Sequence, residues 1–524
     1  MWKQTSRLGR WLCCGLLIFV NACAMVGPDF TPPKADVAPE WLESKDARVR
    51  KEIPDYKNWW RVFADPVLEG LVQSAYEQNL PLQIAGVRVL EARALLGFVV
   101  GEFYPQTQTG FGALEYNRIS GNSFDLLQPG SANPGMGYWQ GNVGVGASWE
   151  LDFWGKFRRA IQSADANLLG SIAAYDDVLV SLTADVARVY VIIRVYEERL
   201  RIAYENVTIQ KESLRIAGVR FNAGDTGERD VQQAITLLAS TQAQIPYLET
   251  GVQKARHALS ILLGMPPGQL RDRLDADKGI PLAPLNIAVG IPAELLRRRP
   301  DIRNAELQAA SQCALIGVAK AELYPSFSLT GSFAFLSSDV GGAGVGDIFS
   351  WSSRAATFGP SFQWNILNYG RITNNVRVQD ARLQGLILTY QDTVLRAQQE
   401  VEDGLVEFLK AQERVDFLQK SVDAAKRSAD LALMQYRGGS TDYTTVIIAQ
   451  QALLSEQDRL AASRGESPLG LVAVYRALGG GWQIREGKPF VPEYVTSVMM
   501  ERTNWGSLLS EPLELPPAPD SEKP

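Results

Sequence analysis

KFRRAIQSADANLLGSIAAYDDVLVSLTADVARVYVIIRVYEERLRIAYENVTIQKESLRIAGVRFN, residues 156–222, carries apolar side chains in an unbroken alternation of three- and four-residue steps. Leu168, Ile172, Tyr175, Leu179, Leu182, Val186, Val189, Ile193, Tyr196, Leu200, Ala203 and Val207 all fall on this ladder. A spacing that averages 3.5 residues keeps one narrow stripe facing a partner helix, which is the coiled-coil condition. The run holds no proline, and at ~1.5 Å per residue it makes a helix roughly 100 Å long. A rod of that length must pack along other long helices.

The ladder returns 215 residues later at Leu383, Ile387, Tyr390, Val394, Ala397, Val401, Phe408, Val415, Leu418 and Val422, with Gly404 in the place of Val189. An internal repeat of this size makes each half one supersecondary unit used twice. After each rod comes a tight turn, at Gly224-Asp225-Thr226-Gly227 and at Gly438-Gly439-Ser440. A return helix follows, from Arg229 to Leu263 and from Tyr443 to Leu478. These turns are the tips of the rods.

Ahead of each rod the period changes from helical to two. Trp139, Val143, Val145, Ala147, Trp149, Leu151 and Phe153 alternate with Gln140, Asn142, Gly144, Gly146, Ser148, Glu150 and Asp152. Its hairpin partner is Thr107 to Asn117, which alternates less cleanly, with a Gly/Asn/Ser/Pro-rich loop, 119–134, between the two. In the second half Phe327, Leu329, Phe333 and Phe335 oppose Ser326, Ser328, Thr330 and Ser332. Phe358, Phe362, Trp364 and Ile366 likewise oppose Gly359, Ser361, Gln363 and Asn365, and the glycine-rich run 341–346 joins the two strands. Tyr104-Pro105 matches Tyr324-Pro325 at a shift of 220 whereas Trp149 matches Trp364 at 215, so the first hairpin is five residues longer. Strands of about ten residues with one apolar, aromatic-rich face are the pattern of a transmembrane barrel, the alternative being a small soluble sheet. Four strands cannot close a barrel, because small barrels need about eight. The barrel must be shared among chains.

A chain of 524 residues with 46% apolar and 21% charged residues is ordinary in bulk. The net charge of −6 argues against a nucleic-acid partner. Lys3, Arg7 and Arg10, then an apolar stretch from Trp11 to Val20, read as an export signal over 1–22, too short to stay as a spanning helix. Val20-Asn21-Ala22-Cys23 reads as a lipobox with Cys23 acylated; ordinary signal cleavage beside an incidental cysteine is the other reading. Loss of the signal takes the charge to −9 and leaves Cys23 and Cys313, so a lipidated Cys23 leaves no disulfide within one chain. Cys313 reads as a core filler.

The expected division is a signal at 1–22, an extended arm at 23–64, a first repeat at 65–290, a second at 291–482, and a tail at 483–524 whose last ten or so residues are disordered. The hairpins fall at 105–153 and 325–367. Helices are expected from about Asp65-Pro66, broken at Asn79-Leu80-Pro81, and from Leu82 to Glu102, stopping before Pro105. One histidine, His257, and one unmodified cysteine exclude the usual metal clusters and nucleophile triads, so neither enzyme chemistry nor a cofactor is expected.

Across this plan, several motifs resemble the bacterial outer-membrane factors, the TolC-like efflux channels, in the OprM/NodT-like lipoprotein branch. They are Val26-Gly27-Pro28-Asp29-Phe30, Trp59-Trp60 with Phe63 and Asp65-Pro66, and Leu295-Leu296-Arg297-Arg298-Arg299-Pro300-Asp301-Ile302-Arg303. Ala321-Glu322-Leu323-Tyr324-Pro325 and Ala477-Leu478-Gly479-Gly480-Gly481-Trp482 complete the set. The resemblance implies a homotrimer. Its twelve strands close one β-barrel in the outer membrane, continuous with a coiled-coil α-barrel across the periplasm. It also implies a periplasmic adaptor docked at the tips (Gly224, Gly227, Gly438, Gly439) and an inner-membrane proton-driven pump. Ala24 after Cys23 fits the sorting of such lipoproteins to the outer membrane.

Family members often ring the periplasmic entrance with aspartates from the second return helix, where this chain has Thr445 and Ile448. The matching places of the first repeat hold Asp230 and Gln233, so Asp230, with Asp225, Glu228 or Asp442, is the candidate acidic constriction. A solvated helix start, where acids are favoured, reads the same residues equally well. The function expected is a passive exit duct of a tripartite efflux pump for small molecules or drugs. A duct for type I protein secretion is the alternative, and a pore-less periplasm-spanning lipoprotein is a reading of another class.

Overall fold

The structure, a computed structural model, describes residues 25–52, 55–118, 137–270, 274, 278–294, 298–339 and 344–509. The signal at 1–22, Cys23, the loop 119–134, residues 341–343 of the glycine-rich run and the end of the tail lie outside the described residues. Two compact units form, each drawing on both repeats.

The helical repeat is carried residue for residue. Helix α1 spans Pro66–Gln78 and α2 spans Leu80–Gly101. The long helix α3 spans Lys156–Asn222, and α4 spans Glu228–Leu262. Their second-half counterparts are α5 at Pro300–Ala321, α6 at Arg371–Arg437 and α7 at Tyr443–Ala477. Both α3 and α6 have 67 residues at an offset of 215, and α4 and α7 have 35 each at the same offset. Helices α2 and α5 have 22 each at an offset of 220. The extra five residues therefore lie in the first hairpin.

The unit of residues 25–32, 91–168 and 307–387 holds one antiparallel sheet. Strands β2 (Thr107–Arg118), β3 (Gly137–Leu151), β5 (Ser326–Ser338) and β6 (Arg354–Gln363) follow one another in spatial order as in sequence. Two indoles fix the sheet's lower end to the chain before it. Trp149 Nε1 donates to the carbonyl of Phe103 at 3.1 Å, and Trp364 Nε1 to that of Leu323 at 3.0 Å. The arm enters here, with Val26 N donating to the carbonyl of Trp154 at 3.0 Å and Arg159 held to Asp29 at 2.8 Å. Cys313 is buried, as expected of a core filler.

The unit of residues 33–90, 169–306 and 388 onward is helical. Asp65 caps α1 by accepting from Val67 N at 2.9 Å, and Pro66 occupies the first turn, where its missing N–H costs nothing. The ladder is buried on both rods, as at Ile172, Val186, Val394 and Val401, but Ala173, Val180 and Ile202 beside it on α3 are buried whereas their counterparts on α6, Leu388, Leu395 and Phe417, are exposed. The difference lies in what covers each rod. Trp59, stacked on Tyr475 at 5.3 Å, and the segment from Gly480 to Phe490 cover α3, while the extended arm lies along α6 through water-exposed hydrogen bonds.

Three features went unread in the sequence. Val49–Arg50 (β1) pairs in parallel with Ile287–Ala288 (β4), tying the arm to the linker between repeats. Trp59–Phe63 forms a buried 3-10 turn rather than extended chain. The tail contains a helix, α8 (Glu493–Arg502), whose Met499 packs with Leu90 and Val491. Among the described residues no helix is long and apolar enough to cross a membrane.

Candidate functional site: an open sheet and a helical tip

Register places the side chains of the sheet on two unlike faces. Trp139, Val143, Val145, Trp149 and Leu151 of β3 share a face with Leu329, Phe333 and Phe335 of β5 and with Phe358 and Phe362 of β6. The opposite face carries Gln140, Asn142, Ser148, Thr330, Ser332 and Thr357, interrupted by Phe111 and Leu336. Phe358 and Phe362 are 80% and 71% exposed, too much apolar surface to leave in water. Aromatic residues bracket this face. Tyr116 and Trp139 lie 5.4 Å apart at one end, and Trp149 and Trp364 stand at the other. The ten steps from Trp139 to Trp149 cover roughly 33 Å of strand, or about 25 Å of membrane at a tilt of ~40°, the height of a lipid-facing barrel band.

The sheet is incomplete. Its end strands β2 and β6 each have a neighbour on one side only. In hydrocarbon every unpaired backbone group costs several kcal/mol, so open edges are not tolerated there. The order β2-β3-β5-β6 has an even number of antiparallel strands. A copy placed beside it therefore meets β6 with an antiparallel β2.

The tip belongs to the helical unit. Gly224 (φ +80°) and Gly439 (φ +75°) take the left-handed conformation that ends each long helix. Asp225 N donates to the carbonyl of Arg220 at 2.9 Å, and Ser440 N to that of Gln435 at 2.9 Å. Gly227 and Gly438 lie in the same turns without that requirement. The four candidate acids separate. Asp225, Glu228 and Asp442 are exposed, and Asp442 caps α7 by accepting from Thr445 N at 3.1 Å. Asp230 instead turns inward: it is 6% exposed and accepts from the Tyr436 hydroxyl at 3.2 Å, with Arg229 3.7 Å away. Tyr436 is fully buried, lies under the Arg220 guanidinium at 4.6 Å and meets Tyr443 edge-on at 5.0 Å. Arg220 also donates to the carbonyl of Tyr436. Burial raises the Tyr436 and Tyr443 phenols above their ordinary value.

Sequence reasoning passed over Arg220, Tyr436 and Tyr443. The signal was a break in the repeat. At an offset of 215, Gln435 stands opposite Arg220, and buried Tyr436 stands opposite exposed Phe221. His257 is exposed, and among the described residues no group of His, Cys, Asp and Glu could hold a metal ion.

A family model described as outer membrane efflux protein matches residues 71–265 and 291–480, one match for each repeat. The chain belongs to the outer membrane efflux protein family. The resemblance read from the motifs is thereby confirmed. Nodulation protein T of Rhizobium leguminosarum bv. viciae is 30% identical over 469 residues, covering 89% of this chain and 92% of that protein. The pyoverdine export outer membrane protein OpmQ of Pseudomonas putida is 30% identical over 455 residues, covering 86% and 94%. The solved structure of the outer-membrane channel OprN superposes with a TM-score of 0.80 at 33% identity, over 87% of this chain and 99% of that one. This outer membrane efflux protein therefore has the fold of the TolC-like channels, an α-barrel plus a β-barrel. It is an outer-membrane efflux channel and, like its family, not an enzyme.

Proposed function

We propose that three copies of this chain form a passive exit duct through which an inner-membrane pump discharges small molecules to the exterior. The observation that carries this reading is the pair of unpaired sheet edges on an apolar-faced, four-stranded sheet. Three such sheets give twelve strands with no edge left, the condition for standing in hydrocarbon. The polar face of Gln140, Asn142, Ser148, Thr330 and Thr357 then lines water, which a sealed scaffold would not require.

No nucleotide-binding motif occurs in the sequence, so the driving energy comes from a partner. A periplasmic adaptor at the turns holding Gly224, Gly227, Gly438 and Gly439, with a proton-driven pump beyond it, fits relatives whose names record pyoverdine export and toluene efflux. Type I protein secretion is the second reading, since a wide duct reads little of its cargo. At the tip, Asp230 with Tyr436 forms the closure, and Asp225, Glu228 and Asp442 supply exposed negative charge to a mouth that favours cations. Cys23 is the acylation site. Three residues beyond it, Val26 N donates to the carbonyl of Trp154, which stacks on Tyr324 at 4.6 Å.

The test is twofold. The purified protein should have the mass of three chains and show single-channel conductance in planar bilayers; a monomer or a silent bilayer would sink the duct. Photo-crosslinkers at Asp225 and Ser440 in native membranes should then capture an adaptor with a proton-driven pump. Capture of an ATP-driven exporter would move the assignment to secretion.

A further inference from the structure

The apolar face of the sheet carries two charged side chains among the described residues, and both are arginines. Arg118 is the last residue of β2 and Arg354 the first of β6. Register puts both on that face, Arg118 one pleat beyond Tyr116 and Arg354 opposite Phe335. The two strands are the open-edged ones, and both arginines stand at the loop end of the sheet, away from the helices. A charge on a lipid-facing strand is tolerated at the membrane interface. Two of one sign side by side repel, and an anion between them removes the repulsion.

The seam between copies brings the two corners together. Within the chain, β3 on β5 joins the end of the first hairpin to the start of the second, with Leu151 opposite Phe327. Strand β6 on the β2 of a second copy is the same junction one repeat later. Offsets of 215 and 220 carry Leu151 and Phe327 to Ile366 and Thr107. Alignment of like faces shifts that register by one residue either way, which sets the partner's Arg118 opposite Arg354 or opposite Ala356. The Cβ atoms of the two arginines then lie about 5 Å apart, or about 7–8 Å on the diagonal.

Neither arginine has a carboxylate partner among the described residues. Arg354 lies over the Trp351 indole at 4.4 Å and donates to the Trp351 carbonyl at 2.9 Å, and Arg118 is exposed. The acids Asp339 and Asp347 of the second hairpin's loop are engaged elsewhere, accepting from Trp139 N at 2.8 Å and from Gly344 N at 3.3 Å. Exposed Phe349, Trp351, Tyr116 and Trp139 mark the level of lipid headgroups. Toward the helices, exposed Leu114 and Phe358 give acyl chains an apolar surface. The helices run into the periplasm, so the loop end lies in the outer leaflet, whose bacterial lipid is a phosphorylated glycolipid.

We propose that Arg354 and the partner's Arg118 form a two-arginine cradle for the phosphate of an outer-leaflet glycolipid, one cradle at each seam of the trimer. Guanidinium groups meet phosphate oxygens through bidentate, charge-assisted hydrogen bonds. The pairing of β6 with a second copy's β2 rests on the trimeric duct reading; the exposure of the two arginines does not.

Native mass spectrometry of the full-length protein, purified in detergent, delipidated and titrated with bisphosphorylated lipid A, tests the cradle. The parent should take up one lipid per seam. Arg118→Gln combined with Arg354→Gln should keep the trimer mass and bind at least about tenfold more weakly. Equal binding by the double variant overturns the proposal, as does equal binding of dephosphorylated lipid A by the parent. Inorganic phosphate should leave the lipid in place; displacement would assign the arginines to a free anion and overturn the lipid site. A second readout uses the parent alone, whose melting temperature lipid A should raise and dephosphorylated lipid A should not; equal shifts with both overturn phosphate recognition. The seam is tested apart from the lipid. Arg118→Cys with Arg354→Cys, in a Cys313→Ser background, is treated in native membranes with a short bifunctional methanethiosulfonate. Covalent trimers should form that neither single cysteine gives. A trimer that does not bridge holds the arginines apart and overturns the cradle, whereas a chain that is monomeric throughout overturns the duct reading and the cradle with it.

Discussion

The hydroxyl of Tyr436, near the end of α6, donates to Oδ2 of Asp230, in the first turn of α4, and both side chains are buried. One hydrogen bond thus joins the second long helix of the chain to the first return helix. Tyr436→Phe leaves the ring in place and strips a buried carboxylate of its donor, at a cost of about 1–3 kcal/mol. The expected outcome is a lower melting temperature and a higher open probability in bilayers. An unchanged open probability would mean that this bond does not hold the tip closed.

Charge at the tip separates from the bond. Asp225→Asn with Glu228→Gln and Asp442→Asn removes exposed acids without touching the Asp230–Tyr436 pair. Cation preference, measured as reversal potential in a salt gradient, should fall while the open probability stays as it was. Asp230→Ala should do the reverse, raising open probability through the lost bond. If Asp230→Ala leaves both conductance and cation preference unchanged, Asp230 is no part of a gate.

Gly404 shows how far the repeat carried into packing. Its counterpart in the first rod is Val189, and a Cβ added at Gly404 would lie 3.1 Å from the backbone N and 3.0 Å from a methyl of Val474. Helices α6 and α7 meet there too closely for a side chain. Gly404→Val should therefore destabilise by about 1–3 kcal/mol through overpacking, despite restoring the repeat. Thermal unfolding of the detergent-solubilised protein reads the effect, and a neutral result would show that α7 yields at this point.

The rods and hairpins were legible because one physical pattern sets each of them. The 3.5-residue ladder placed α3 from Lys156 to Asn222, and Pro105 and Pro325 marked where helix gives way to strand. Alternation at Val143, Val145, Phe333 and Phe335 gave the two faces before any register was known. The rest depended on partners distant in sequence. Spacing could not show that Asp230 turns inward while Asp225 and Glu228 face water, because Tyr436 is 206 residues away. That Gln391 and Gln398 donate to the carbonyls of Lys34 and Asp36 was hidden for the same reason, since an arm held by its main chain leaves no side-chain signature. Helix α8 has only ten residues and lies between Pro492 and a Pro-rich end, so its pattern was too short to separate from the tail.

Asp177 gives the pH dependence a sign. It lines a polar cavity of about 170 Å³ with Arg299, Asp301, Glu400 and Arg476. Burial, with Asp301 adding to it, pushes its carboxyl up to about 6 against the pull of Arg299 and Arg476. An acid whose folded pKa lies above its ordinary value of 3.8 binds its proton more tightly when folded. Its contribution is thus a destabilisation that is absent below pH 4, grows as pH rises through 6, and is full above. The whole displacement corresponds to ~3 kcal/mol, and residual contact of the side chain with water reduces this to about 1–2 kcal/mol. Asp177→Asn should accordingly raise the melting temperature at pH 7.5 and leave it unchanged at pH 4. Stabilisation of equal size at both values would assign the effect to packing. A loss at pH 7.5 would show that the ionised carboxylate is held by Arg299 and Arg476 more strongly than burial opposes it.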